Sequence, residues 1–247
     1  MYEGMLAETV RVTGHNGDLI DAYFARPLGA GPHPGVVVIH HMPGWDDGSK
    51  EITRTFAAHG YMSVCPNLHF RDGTGTAQEM AKASREAGGV PDDRCVGDIE
   101  GAVGYLRSLV YTNGKVGVIG YCSGGRQAFM VASKIPSLDA AVDCYGGNVV
   151  ASSEKLTPRM PVAPIDMTAD IACPLLGLFG ANDSNPSPDQ VAAIEAELKR
   201  CGKTYEFHTY ENAGHAFFSV DRPQYRAEAA MDGWDKIFDW FGKYLSR

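Results

Sequence analysis

The apolar positions of this chain fall into short continuous runs separated by longer amphipathic stretches. Val36-Val37-Val38-Ile39-His40 is unbroken and β-branched, the pattern of a strand covered on both faces. Similar runs recur at Tyr61 to Cys65, Val116 to Gly120, Ala140 to Tyr145, Pro174 to Gly180 and Thr204 to Tyr210. Between them the spacing predicts helices ending near His59, over Gln78 to Gly88, Pro91 to Leu109, Arg126 to Lys134 and Pro188 to Arg200, with a last one starting near Pro223. In that last helix Trp234, Ile237, Phe238, Phe241 and Tyr244 or Leu245 recur on one face and are expected to meet a core. Two further strands, 8–12 and 18–26, flank Asn16-Gly17-Asp18, a tight-turn sequence that predicts a leading hairpin.

Strands alternating with helices mean βαβ units. The expected fold is α/β, with a mainly parallel central sheet of about eight strands, helices on both faces and the hairpin as an antiparallel edge. The 247 residues suit one domain spanning 1–247. The stretch 148–170 carries Pro158, Pro161 and Pro164 and no clear period. A loop this long is usually functional or mobile, and it is expected to roof part of a pocket.

The most informative stretch is Val116-Gly117-Val118-Ile119-Gly120-Tyr121-Cys122-Ser123-Gly124-Gly125. An apolar strand runs into Gly-x-Cys-x-Gly and then directly into a helical pattern. Strand, sharp turn and helix with a nucleophile at the turn form a nucleophile elbow, here with Cys where Ser is commoner. The nucleophile of such a turn sits in a strained conformation, so the residues two before and two after it must lack bulk. Gly120 and Gly124 meet this around Cys122, whereas Ser123 would have Tyr121 in the first place. The rival reading is an inert buried thiol.

A thiol nucleophile needs a base, and the base an orienting acid. On an α/β-hydrolase scaffold the chain order is nucleophile, acid, histidine. Leu175 to Gly180 leads to Asp183, and Phe207 to Tyr210 leads to His215, so both are expected beside the elbow at strand C-terminal ends. Alone, Asp183 reads as turn chemistry and His215 as a loop histidine. Their joint placement in the required order favours function. His208 lies inside a strand and reads as structural.

The net charge of −8 gives no reason to expect nucleic acid or an anionic membrane as partner. No run is long enough to span a membrane, and Met1 to Val10 lacks a basic stretch followed by an apolar core. The six cysteines are scattered, without a Cys-x-x-Cys pair. Reduced thiols in a cytoplasmic setting are the expectation.

Gly120-Tyr121-Cys122-Ser123-Gly124-Gly125, with Asp183 and Ala213-Gly214-His215-Ala216-Phe217, resembles the dienelactone hydrolase family, the carboxymethylenebutenolidases. The likeness runs from Val36 to the last helix. It implies a compact α/β-hydrolase, a Cys-Asp-His triad and hydrolysis of an enol-lactone through a thioester acyl-enzyme. The family usually carries Glu just after the third strand, and here His41 stands there. It also implies two arginines on the substrate carboxylate. Arg71 matches the first, and Ser219 occupies the place of the second.

On this reading Cys122 attacks the ester or lactone carbonyl, its acidity raised by His215 and by the elbow helix. The backbone N–H groups of Ser123 and Met42 hold the oxyanion. His215 activates water and Asp183 fixes its tautomer. No metal or organic cofactor is required. His40 and His41 point to opposite faces of a strand and do not share an ion. His41 is expected to face Cys122 and set the resting state of the thiol. Trp45, Phe70, Tyr145, Phe217 and Phe218 are the aromatic candidates for the pocket wall. The expected partner is a small-molecule ester or lactone substrate, and the chain is expected as a monomer or homodimer. Alternatives are a general small-ester carboxylesterase or thioesterase, and a non-catalytic ligand-binding protein that kept the fold.

Overall fold

A computed structural model describes residues 4–246 of the chain. The outermost positions of the expected 1–247 domain, 1–3 and 247, lie outside the described residues. Eight strands form one mostly parallel sheet in the order β1-β2-β4-β3-β5-β6-β7-β8. The described residues divide into two compact units, 4–118 with 245–246, and 119–244.

The first unit opens with β1 (Met5–Thr13) and β2 (Leu19–Pro27), antiparallel from Met5↔Pro27 to Thr13↔Leu19. The link is a 3₁₀ turn, His15–Gly17, in which Asn16 and Gly17 both take positive φ. That is the conformation for which Asn-Gly is suited. Next come β3 (His33–Ile39), α1 (Asp47–Ala58), β4 (Met62–Pro66), α2 (Ala77–Glu86), α3 (Asp92–Ser108) and the start of β5 (Thr112–Tyr121). β2 pairs antiparallel with β4, and β3 runs parallel to β4. Val36, Val37, Val38 and Ile39 are fully buried, as a strand covered on both faces requires. Asp46 caps α1 by accepting the Ser49 N–H at 2.9 Å. Thr76 and Glu79 form a capping box at the start of α2.

The second unit takes the end of β5, then α4 (Ser123–Lys134), β6 (Ala140–Cys144), β7 (Leu175–Gly180), α5 (Pro188–Arg200), β8 (Tyr205–Tyr210) and most of α6 (Ala227–Leu245). β6 and β7 pair in parallel from Ala141↔Leu175, and β7 and β8 from Leu175↔Tyr205. α4 is buried along most of its length. α6 begins four residues later than the sequence predicts, at Ala227 rather than Pro223. The reason is local: Tyr225 N–H bonds back to Arg222 and Arg226 N–H bonds to Phe217, outside any helix. The stretch 148–170 holds 3₁₀ turns at Ser153–Lys155 and Pro164–Asp170 and a single bridge between Thr157 and Met160. No helix among the described residues is long and apolar enough to cross a membrane.

Candidate active site

β5 ends at Tyr121 and α4 starts at Ser123, so Cys122 alone makes the corner. Its backbone takes φ 58° and ψ −118°. Such a conformation costs a side-chain-bearing residue about 1–3 kcal/mol and persists only where its surroundings enforce it. Three backbone hydrogen bonds do so: Cys122 N–H to Cys144 O at 3.0 Å, and Gly125 N–H and Arg126 N–H to Cys122 O at 3.0 and 3.3 Å. Gly120 is needed because a Cβ there would overlap the carbonyl oxygen of Gly124. The Cys122 side chain is half-exposed, whereas Cys65, Cys95, Cys144 and Cys173 are buried; none of the six cysteines is in a disulfide. The first N–H groups of a helix lack intrahelical acceptors, so the N–H of Ser123, at the first position of α4, is available to an anion.

Asp183 lies in the turn after β7, its N–H bonded to Gly180 O at 3.2 Å. The turns after β7 and β8 are laced together: Ala181 N–H reaches Tyr210 O at 3.0 Å, and Asn182 N–H reaches Ala213 O at 2.9 Å. This sets Asp183 against His215. One carboxylate oxygen, Oδ1, accepts the Asn185 N–H at 2.9 Å, and Oδ2 sits 2.7 Å from His215 Nδ1. Asn185 in turn accepts the Asn148 N–H on its side chain at 3.1 Å, which ties the turn after β6 to the acid's loop. With Nδ1 engaged, Nε2 of His215 is left for the Cys122 sulfur, to which the ring is hydrogen-bonded. Burial opposes the charged imidazolium. The hydrogen bonds to Asp183 and Cys122, with the negative charge of both, outweigh it and raise His215 to about 10. The structure therefore brings together the residues that chain order singles out as nucleophile, acid and base.

Tyr145 is the aromatic partner of this group. Its ring meets His215 edge-on at 5.2 Å between centroids, and its backbone has φ 44°. Burial pushes its phenol well above the ordinary value, and its hydroxyl is hydrogen-bonded to the Ser219 side chain and the Phe218 backbone. Tyr145 thus reaches the site only through a nearly closed surface, being 2% exposed. Phe217 is fully buried against Tyr145, Tyr210 and Phe218. Phe217, expected to line the pocket, presents no exposed surface.

The remaining sequence candidates lie in the first unit. His41 and Met42 follow β3 and are half-buried. His41 Nε2 is 2.6 Å from Asp46 Oδ2. Burial would raise the Asp46 carboxyl, but its bonds with His41 and with Ser49 hold it well below the usual carboxylate range. Trp45 donates its indole N–H to Cys65 O at 2.8 Å, and Lys50 stands over its ring at 4.3 Å. With Asp46, Lys50, Thr76, Gln78 and Met80 it lines a recess of about 390 Å³. Phe70 is half-buried at the end of the turn after β4. His40 is buried with both ring nitrogens occupied, one on His41 O at 2.8 Å and one on Leu68 N–H at 3.2 Å. Burial lowers it to about 3, so it is a neutral core histidine.

Arg71 is engaged by carboxylates of its own unit. Its guanidinium grips both oxygens of Asp98 at 2.9 and 3.0 Å and reaches Asp18 at 2.7 Å. Asp98 is fully buried and also accepts the His15 N–H at 2.8 Å. The side chain expected to meet a substrate carboxylate is spent on a carboxylate of its own chain. Among the described residues no group of three or more His, Cys, Asp and Glu is arranged to hold a metal ion.

The sequence reading missed Asp143 and Asn185. Asp143 had a signal, a carboxyl inside the otherwise apolar run Ala140-Ala141-Val142-Asp143-Cys144. Asn185 had none beyond its place near Asp183.

Comparison with known proteins bears on the whole chain. The family model described as "Dienelactone hydrolase family" matches residues 20–245. The chain belongs to the dienelactone hydrolase family. A protein of Methylorubrum extorquens assigned as a carboxymethylenebutenolidase is 34% identical over 244 residues, covering 98% of this chain and 82% of its own. A Bradyrhizobium protein assigned as a 2-oxo-3-(5-oxofuran-2-ylidene)propanoate lactonase is 27% identical over 246 residues, covering 98% of each chain. Among solved structures, one assigned as a dienelactone hydrolase from Klebsiella pneumoniae superposes with a TM-score of 0.87 at 30% identity, over 98% of this chain and 100% of its own. This dienelactone hydrolase family member is accordingly a hydrolase of the ester and lactone type.

Proposed function

We propose that this chain cleaves a small ester or enol-lactone with Cys122 as nucleophile, His215 as general base and acid, and Asp183 as the group that orients His215. The observation that carries the reading is the single histidine bonded to Asp183 through Nδ1 and to the Cys122 sulfur on its other side.

Each residue has a step. The Cys122 sulfur, its proton held by His215, attacks the carbonyl carbon. The carbonyl oxygen becomes an oxyanion, for which the Ser123 N–H at the head of α4 is a donor. The tetrahedral intermediate collapses to a thioester as His215 Nε2 gives its proton to the leaving alkoxide or enolate. Water, deprotonated by the same nitrogen, then attacks the thioester and releases the acid with the free thiol. Throughout, Asp183 Oδ2 holds the ring at Nδ1 while Oδ1 is braced by the Asn185 N–H.

A specific observation favours a neutral ester over an anionic lactone as the preferred substrate. Arg71 is committed to Asp98 and Asp18, and Ser219 to Tyr145. The test compares p-nitrophenyl acetate with cis-dienelactone for the wild type and for Cys122→Ala. The reading predicts that both substrates lose turnover in Cys122→Ala and that the neutral ester has the higher kcat/KM in the wild type. Retained hydrolysis in Cys122→Ala would refute the nucleophile. A large preference for the anionic lactone would refute the neutral-substrate reading. Binding without hydrolysis of any ester would move the chain to a ligand-binding role.

A further inference from the structure

Beside the elbow lies a carboxyl that the reaction above does not use. Asp143, on β6, is 1% exposed. Its Oδ1 accepts the Gly146 N–H at 2.7 Å. Its Oδ2 is buried and has no hydrogen-bond partner. A buried polar atom left in that state requires an explanation. The carboxyl fits only because its neighbours are glycines: a Cβ on Gly125 or on Gly146 would collide with Oδ1. Gly125 belongs to the first turn of α4, so the carboxyl lies directly against the helix end that starts at Cys122.

The titratable and charged groups around it come from every neighbouring element. Cys144 is next to it on β6 and Tyr145 follows, Tyr121 ends β5, Cys122 makes the corner, Arg126 lies on α4, and His215 follows β8. β7 brings only Gly177 opposite it. Burial keeps Cys144, Tyr145 and Tyr121 in their neutral forms. At Asp143 burial is the largest influence and works against the carboxylate; the Gly146 N–H and a positive His215 favour it. The balance raises the carboxyl to about 7.

We propose that Asp143 is a positioning residue that tunes the elbow through its charge. As the neutral acid it leaves the positive field at the N-terminus of α4 to the Cys122 thiolate and the oxyanion. As the carboxylate it competes for that field at short range and slows the acylation step. The sign follows from the equilibrium: the carboxyl gains its charge as pH rises, so turnover falls as pH climbs through neutrality. The proposal rests on Cys122 being the nucleophile.

Asp143→Asn tests it, since the amide oxygen still accepts the Gly146 N–H but carries no charge. The readouts are kcat/KM for p-nitrophenyl acetate and the rate of Cys122 alkylation by iodoacetamide, each followed against pH. The expected result is a variant-to-wild-type ratio that rises about fivefold from about pH 6 to about pH 9. A ratio that stays constant across that range overturns the proposal, because a purely structural loss has no such pH dependence. Should the variant not fold, carboxyl ¹³C titration of the wild type decides. The expected result is one aspartate that keeps its proton into the neutral range, and titration of every aspartate in the acid range overturns the proposal. Hydrolysis surviving in Cys122→Ala would remove the nucleophile reading and the turnover arm with it. A constant ratio with Cys122→Ala inactive overturns the proposal alone.

Discussion

Cys122 holds a backbone conformation that costs free energy in isolation, and the residues around it are those that make the conformation affordable. Gly120 is the clearest, because any side chain there runs into the Gly124 carbonyl. Gly120→Ala is expected to destabilise the protein by about 3 kcal/mol or more, read as a lowered urea midpoint, with ester turnover lost alongside. Asp183→Asn keeps the shape of the acid but presents the wrong partner to His215 Nδ1. Turnover of p-nitrophenyl acetate should fall on the order of 10²- to 10⁴-fold with KM little changed. A change under threefold would show that His215 needs no orienting charge. At this scale the sequence placed Gly120 and Cys122 at the strand-to-helix corner and Asp183 and His215 in the turns after β7 and β8, because an elbow and the strand ends after it constrain position along the chain. It left open the surroundings of Phe217, which is fully buried, and of Arg71, which is engaged by Asp98 and Asp18. Side-chain type indicates what a residue is able to contact, while burial and a competing carboxylate decide what it does contact.

Elements place these side chains, and their partners explain what sequence periodicity leaves out. The strands and most helix limits follow from apolar runs and caps: α5 is bounded by its Ser187–Gln190 capping box and the predicted span matches it. The start of α6 does not follow, because the Phe217 carbonyl takes the Arg226 N–H in a contact that is distant in sequence. Arg71 shows the same limit. It clamps the turn after β4 to α3 through Asp98 and to the β1–β2 turn through Asp18. Arg71→Ala leaves the fully buried Asp98 without its cation and is expected to cost about 3 kcal/mol, seen as a lowered Tm. The neutral ester and the anionic lactone should then lose activity in equal proportion. A selective rise in KM for the anionic lactone would instead restore Arg71 to substrate binding.

For the molecule as a whole, family membership fixes the kind of reaction, and the raised His215 sets one upper pH limit to the proposed mechanism. His215 has a raised value in the folded protein, so the stability its charged form adds is complete below the ordinary histidine value. That contribution is lost as pH rises through about 10. Turnover should decline over the same upper window as the imidazolium loses the proton it must give to the leaving group. His215→Ala should abolish turnover and remove that window from the pH dependence of unfolding. The net charge of −8 sets no substrate preference by itself, and the proposed preference for a neutral ester rests on Arg71 being engaged by Asp98 and Asp18. The α/β architecture was legible from alternating strands and helices, whereas the commitments of Arg71 and Ser219 depend on contacts between distant segments. The central claim is that the acyl group passes through Cys122. It is tested most directly by acid-quenching the wild-type enzyme during turnover of p-nitrophenyl acetate and locating the acetyl group by peptide mass mapping. The account predicts a thioester on the peptide bearing Cys122, assigned to its sulfur by fragmentation. An acetyl group on Ser123, or turnover with no acylated residue at any quench time, would contradict it.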